Sequence, residues 1–178
     1  KEDDAIGGEA PYLPAYPAEK SGCEAITMAL SRVLNLKSII ARSSVTHGPY
    51  GFGGLPARYY ETLKAGKPVA VSKTRENWCM LMHTDDAARE IPILWGAATV
   101  PCTVVNWGGN DAVSQRQIVE YVAQITGLPE KFEQADVNFV SHAFDNTRRD
   151  KLIGKCEIGW KEGIRKALEA RFPGSVKH

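Results

Sequence analysis

Short apolar runs alternate with helix-period segments along most of this sequence, and that alternation confines the chain to the α/β class. The runs "LKSIIARSSV", "KPVAVS", "WCMLMH" and "VPCTVVNWGG" have strand length and a mostly apolar character. Between them the period changes. From Pro17 onward, Cys23, Ile26, Leu30, Val33 and Leu34 recur at three- and four-residue spacing, one face of an amphipathic helix with Pro17 suited to its first turn. "ARYYETLKAG" reads as a helix closed by Gly66. After "HTDD" a further helix runs through "AAREIPILWGAA", where Pro92 must kink it or mark its first turn. The clearest helix has Ser114 as N-cap, an apolar face of Ile118, Val119, Val122 and Ile125, and Gly127 as its stop. "DNTRRDKLIG" and "WKEGIRKALEARF" close the chain as two more helices, with "NTRRDK" a solvated face. "THGPYGFGGLP" is a glycine- and proline-rich loop, and the weak periodicity of "LPEKFEQADVNFVSHAF" predicts irregular surface structure. No internal repeat or low-complexity tract interrupts the pattern.

At 178 residues the chain is long enough for one domain with a real core. A formal net charge of +1, with both signs interspersed, offers neither a nucleic-acid stripe nor a membrane-seeking face. No apolar run approaches the roughly 20 residues that span a bilayer. The acidic opening "KEDDAIGGEA" lacks the character of a secretion signal. Cys23, Cys79, Cys102 and Cys156 are widely spaced and without CxxC pairs, so reduced, buried thiols in a cytoplasmic protein are expected, and no metal site is expected. The chain starts at Lys1, inside what reads as a loop, which suggests a piece of a longer polypeptide.

The stretch "APYLPAYPAEKSGCEAI" places Tyr16 four residues before Lys20, at a helix start. Positions four apart share one helix face, so the phenol and the ammonium can address a common point. A free phenol is a poor acid or base at neutral pH, and a neighbouring ammonium favours its ionised form. Such a pair can exchange a proton with an alcohol or a carbonyl.

The residues around the pair extend the pattern. "APYLPAYPAEKSGCEAI" followed by "SIIARSSVTHGPYG" resembles the extended short-chain dehydrogenase/reductase superfamily, the NAD-dependent epimerase/dehydratase group. That family's Tyr-x-x-x-Lys helix, then a strand, then an Arg-led stretch ending in Gly-Pro fall here on Tyr16, Lys20, Arg42, Gly48 and Pro49. "MLMHTDDAAREI" is similar to its strand and Asp-Asp-x-Ala helix start, "CTVVNWGGNDAVSQRQIVEYVAQITG" to its Asn-x-Gly turn and Ser-capped helix, and "DNTRRDKLIG" with "WKEGIRKALEAR" to its closing helices.

The resemblance implies the C-terminal part of a Rossmann-like doubly wound fold plus a small α/β substrate-binding domain, with the N-terminal nucleotide-binding half absent. "GFGG" and "WGGN" lack G-x-G-x-x-G spacing after a strand and read as loops. Residues 1–49 would carry the Tyr-x-x-x-Lys helix and the last part of the Rossmann-like domain. Residues 50–178 would be mostly substrate-binding region, with residues 76–125 returning in part to the Rossmann-like domain. It further implies Tyr16 as general acid/base and Lys20 as the residue that tunes it and bonds the nicotinamide ribose. The backbone around Ser43 and Ser44 would lie near the nicotinamide of NAD or NADP. The complete enzyme would be a homodimer acting on a small carbonyl, alcohol or sugar-derived substrate, while the 178 residues alone would be inactive. A non-catalytic binding module that keeps only the substrate half is the alternative.

Substrate contacts are expected at His47, in the glycine-rich loop, and at Val45. Val45 stands where sugar-nucleotide members carry Asn, and Cys79 stands where they tend to carry Arg. A diphosphate draws guanidinium forks and amide donors, so these replacements argue against a standard UDP- or dTDP-sugar. Elsewhere the plainer readings hold. His83 packs or hydrogen-bonds at a strand end, Asp85 and Asp86 cap a helix, and the four tryptophans anchor core or half-buried surface.

Overall fold

The computed structural model describes residues 1–4, 15–136 and 141–177. Among them the chain runs α1 (Tyr16–Leu34), β1 (Ile39–Ser43), β2 (Val45–His47), α2 (Gly54–Lys64), β3 (Val69–Ser72), β4 (Trp78–Cys79) and β5 (Leu81–His83). It continues as α3 (Thr84–Gly96), β6 (Thr103–Trp107), β7 (Val113–Ser114), α4 (Gln115–Thr126), β8 (Phe132–Ala135), α5 (Thr147–Ile153) and α6 (Trp160–Arg171). The α/β class read from the alternation is the class observed.

Local signals explain several helix ends. α4 opens with a capping box in which Ser114 Oγ accepts from the Gln117 amide and the Gln117 side chain accepts from the Ser114 amide, and Gly127 closes it at φ 68°. The expected Ile118, Val119, Val122 and Ile125 face is fully buried. α1 starts with Pro17 in its first turn and ends at Asn35, in the left-handed region at φ 52°. Pro92 sits inside α3, where it cannot donate to the preceding turn.

Strand pairing divides two runs that read as single strands. β1 pairs in parallel with β6, but after Ser44 the chain changes partner and β2 pairs in parallel with β5. The break at Met80 answers the break at Ser44: the Met80 amide donates to Ser44 Oγ at 3.0 Å, and the Ser44 amide donates to the Trp107 carbonyl at 3.0 Å. β4 pairs antiparallel with β7. β8 was not expected; Phe132–Ala135 pairs in parallel with β3, and Phe132 packs against the main core, so tertiary pairing overrides weak local periodicity there.

Two cores result. The larger gathers Tyr59, Leu63, Val69, Leu81, Ile118, Val119, Val122, Ile164 and Leu168 from α2, α4, α6 and the strands they cover. The smaller joins Leu94, Val105 and Ile153, backed by Ile39, Ala41 and Trp107, around β1 and β6. Each large aliphatic side chain in these clusters contributes about 1.5–3 kcal/mol by leaving water. α1 departs from the expectation of a packed amphipathic face. Ile26, Leu30 and Val33 are exposed, Val33 at 79%, and Ser31 is the helix's buried residue. The cysteines divide as well. All four are free, Cys79 and Cys156 are buried, Cys102 is intermediate, and Cys23 is exposed on α1.

The turn after β6 lies directly on β5. A Cβ on Gly109 would stand 2.0 Å from the Leu81 carbonyl oxygen, a backbone atom that cannot swing aside. Gly109→Ala is therefore expected to cost about 3 kcal/mol, the upper range for forced overpacking. The check is the urea midpoint at unchanged m-value; an unaltered midpoint would refute the close approach.

Candidate active site

α1 brings the sequence-predicted pair together at its exposed N-terminus. Tyr16 is the first helical residue and is 49% exposed. The Lys20 ammonium lies 5.3 Å from the centroid of the Tyr16 ring, within cation–π range. Residues 5–14, which precede Tyr16, lie outside the described residues.

One turn further along the same face stands Glu24, which sequence reading passed over. Its carboxylate accepts a two-pronged bond from Arg42, Nε to Oε1 at 2.9 Å and Nη2 to Oε2 at 2.8 Å. Arg42 Nη1 also donates to the Glu2 carbonyl at 2.9 Å, and Glu2 Oε1 accepts from the Asn106 amide. A guanidinium–carboxylate fork fixes direction as well as distance. It therefore sets the register of α1, and with it the Tyr16–Lys20 face, against the last residues of β1. The i, i+8 spacing of Tyr16 and Glu24 was a usable signal; the partner strand was not.

The residues expected near a cofactor or substrate separate. Ser43 is exposed at the end of β1, whereas Ser44 is committed to the fold, its hydroxyl donating to the His142 carbonyl at 2.8 Å. Val45 packs against the main core. His47, expected on an open loop, instead ends β2 with its ring buried, because the β2–β5 register sets it opposite His83. Burial, aided by that neighbour, pushes its pKa down to about 4. Cys79 is buried with its thiol donating to the Val113 carbonyl at 3.8 Å, and burial pushes its pKa up to about 12. A cleft of about 380 Å³ lies between Glu2, Asp3 and α5; its lining includes neither Tyr16 nor Lys20.

His83 does sit at a strand end as expected, and it caps α3: Nδ1 accepts from the Asp85 amide at 3.2 Å. Asp85 is exposed beside Lys166. Asp86 is not the cap the sequence implied. It is 1% exposed and accepts from the amides of Glu157 and Ile158 at 2.9 and 3.0 Å and from Arg89 at 3.0 Å. Glu90 accepts from Trp107 Nε1 at 2.7 Å and from Arg89. Arg149, read as part of a solvated face, is fully buried, donating to Asn110 Oδ1 at 3.0 Å and to Cys156 Sγ at 3.1 Å. Ile153, four residues on, marks that inward face of α5. Asp86, Glu90 and Cys156 converge closely enough to hold an ion. Their atoms are already bonded to two guanidinium groups and backbone amides, and burial pushes the Cys156 thiol up to about 12. This is a charge-balanced structural network rather than a ligand set.

No protein-family model and no curated protein sequence matches the chain. The fold itself is that of the NAD-dependent epimerases and dehydratases. The chain superimposes on dTDP-glucose 4,6-dehydratase from Bacillus anthracis in complex with NAD with a TM-score of 0.80, at 19% identity, over 96% of this chain and 54% of that one. UDP-glucose 4-epimerase from Thermotoga maritima, with UDP-glucose, gives a TM-score of 0.72 at 19% identity over 96% of this chain and 59% of that one. A dTDP-glucose 4,6-dehydratase from Streptomyces venezuelae with NAD bound gives 0.77 at 19% identity, over 95% and 53%. The chain thus spans a little over half the length of these enzymes. Among the described residues no helix is long and apolar enough to cross a membrane.

Proposed function

We propose that the chain supplies the tyrosine–lysine pair and the substrate-facing portion of an NAD(P)-dependent oxidoreductase or epimerase/dehydratase. The observation that carries this reading is the match of 96% of the chain to an NAD-bound dehydratase at a TM-score of 0.80. The local geometry supports it: Tyr16 and Lys20 meet at an exposed helix start, and the Glu24–Arg42 fork holds that helix to β1. The Tyr16 hydroxyl gives a proton to a carbonyl oxygen or takes one from an alcohol, and Lys20 stabilises the charge that develops on the phenol. Lys20 and Ser43 are exposed and so free to meet a dinucleotide. NAD(P), when bound, supplies or accepts the hydride.

The substrate in this reading is a carbonyl or alcohol, sugar-derived or not, without a diphosphate to hold. Val45 and the neutral, buried thiol of Cys79 offer no strong donor to one. The exposed Ile26, Leu30 and Val33 of α1 make a surface through which the whole enzyme would pair as a homodimer. The deciding experiment is calorimetric titration of NAD(H) and NADP(H) into the polypeptide expressed from the complete reading frame. Saturable binding of one of them is the expected result; binding of neither would leave the non-catalytic module as the better account.

A further inference from the structure

Two imidazoles lie inside the fold where β2, β5, α3 and α6 meet. His47 and His83 end their strands opposite one another, each 2% exposed. Their rings meet edge to face with centroids 5.5 Å apart. His83 is occupied through Nδ1, which caps α3 and has the Asp85 carboxylate 3.4 Å away. Among the described residues His47 makes no well-formed hydrogen bond at either ring nitrogen, although the carbonyls of Met82 and Gly163 lie nearby. α6 presses on this ring through Gly163, where a Cβ would stand 2.8 Å from His47 Nε2. The other end of α6 carries Arg171, whose Nη1 donates to the carbonyls of Pro49 and Gly51 at 3.1 and 2.8 Å. One helix therefore rests on a buried imidazole and grips the glycine-rich loop that follows β2.

We propose that protonation of His47 undocks α6 and, through Arg171, frees the loop between β2 and α2. An imidazolium at this position would face a second imidazole, with the carbonyls of Met82 and Gly163 as its nearby acceptors, and would lose its hydration to burial. The charged groups around the pair are Asp85 and Asp86 at the start of α3, and Glu162 and Lys166 on α6, and all of them act on His83. Asp85 is paired with Lys166 and Asp86 with Arg89. α2 turns only the phenols of Tyr59 and Tyr60 inward as ionisable groups, and phenols carry no charge in acid. Opening returns the ring to water, so the open form binds the extra proton and gains population as pH falls through 6.5, levelling off below about 4. Between pH 7.5 and pH 5 the opening equilibrium should rise by about 30-fold.

Hydrogen exchange on the 178-residue chain, corrected for intrinsic rates, tests this. Peptides covering α6 and residues 48–54 should gain exchange together by about that factor over that pH interval, while α4 holds, and His47→Phe should flatten the response. The imidazole resonances of the unmodified chain provide a readout that needs no variant: His47 should titrate near 4. The proposal is overturned by exchange in α6 and the loop that is insensitive to pH or uncoupled. A His47 midpoint at its ordinary value, or an unchanged pH response in the phenylalanine variant, overturns it equally.

Discussion

If the proposed function holds, replacing Tyr16 by phenylalanine in the complete polypeptide is expected to lower turnover by about a hundred- to ten-thousand-fold, the range a positioned proton donor contributes. The fold should not register the change. Tyr16 is half exposed at the first position of α1, and the ring, which is the part that Lys20 contacts, is retained. Surface substitutions of this kind shift stability by about 0.5 kcal/mol or less. The measurement is NAD(P)H-linked turnover against a panel of carbonyls and alcohols, with thermal unfolding alongside. Lost turnover with an unchanged melting temperature assigns the hydroxyl to chemistry. Near-normal turnover would remove Tyr16 from its role, and loss of both would show that the helix start was disturbed.

Asp86→Ala should have the largest effect on stability, about 3–5 kcal/mol, the usual cost of removing one partner from a buried charged network. The loss is more than one ion pair. The Glu157 and Ile158 amides would be left without acceptors inside the protein, and Arg89 would keep only Glu90, Glu157 and the Lys155 carbonyl. Burial alone would raise the Asp86 carboxyl, yet the Glu157 amide, the Arg89 guanidinium and the Ile158 amide together hold it below the usual carboxylate range. Its contribution is therefore present above the unfolded pKa of 3.8 and disappears as pH falls through the depressed folded value. That window lies below the one in which His47 acts. Urea unfolding at neutral pH checks the prediction, and a change under about 1 kcal/mol would mean that the 155–158 segment is held by something else.

What could be read from the sequence follows how far each signal reaches. α4 was legible from cap to stop because Ser114, Gln117 and Gly127 act on their own backbone within a few residues. The Tyr16–Lys20 contact was legible for the same reason, since i, i+4 spacing is geometry the helix itself guarantees. Glu24 was missed because its meaning lies in Arg42, eighteen positions away. The breaks at Ser44 and Met80 arise from a change of strand partner that neither run encodes alone. Arg149 read as surface because charge normally does; its burial depends on Asn110 and Cys156, which only the folded chain brings to it. His47 was expected in a loop because the stretch "THGPYGFGGLP" is rich in glycine and proline, while its neighbours in space are His83 and α6.

The unequal settings of the four thiols have a practical side. Cys79 and Cys156 are shut away from reagents and held in their protonated form, and burial raises Cys102 in the same direction. Cys23 is the exposed one of the four, three residues past Lys20 on the same helix. A maleimide dye would settle there first, and would place a fluorescent reporter within a helical turn of Lys20, the residue proposed to meet a dinucleotide.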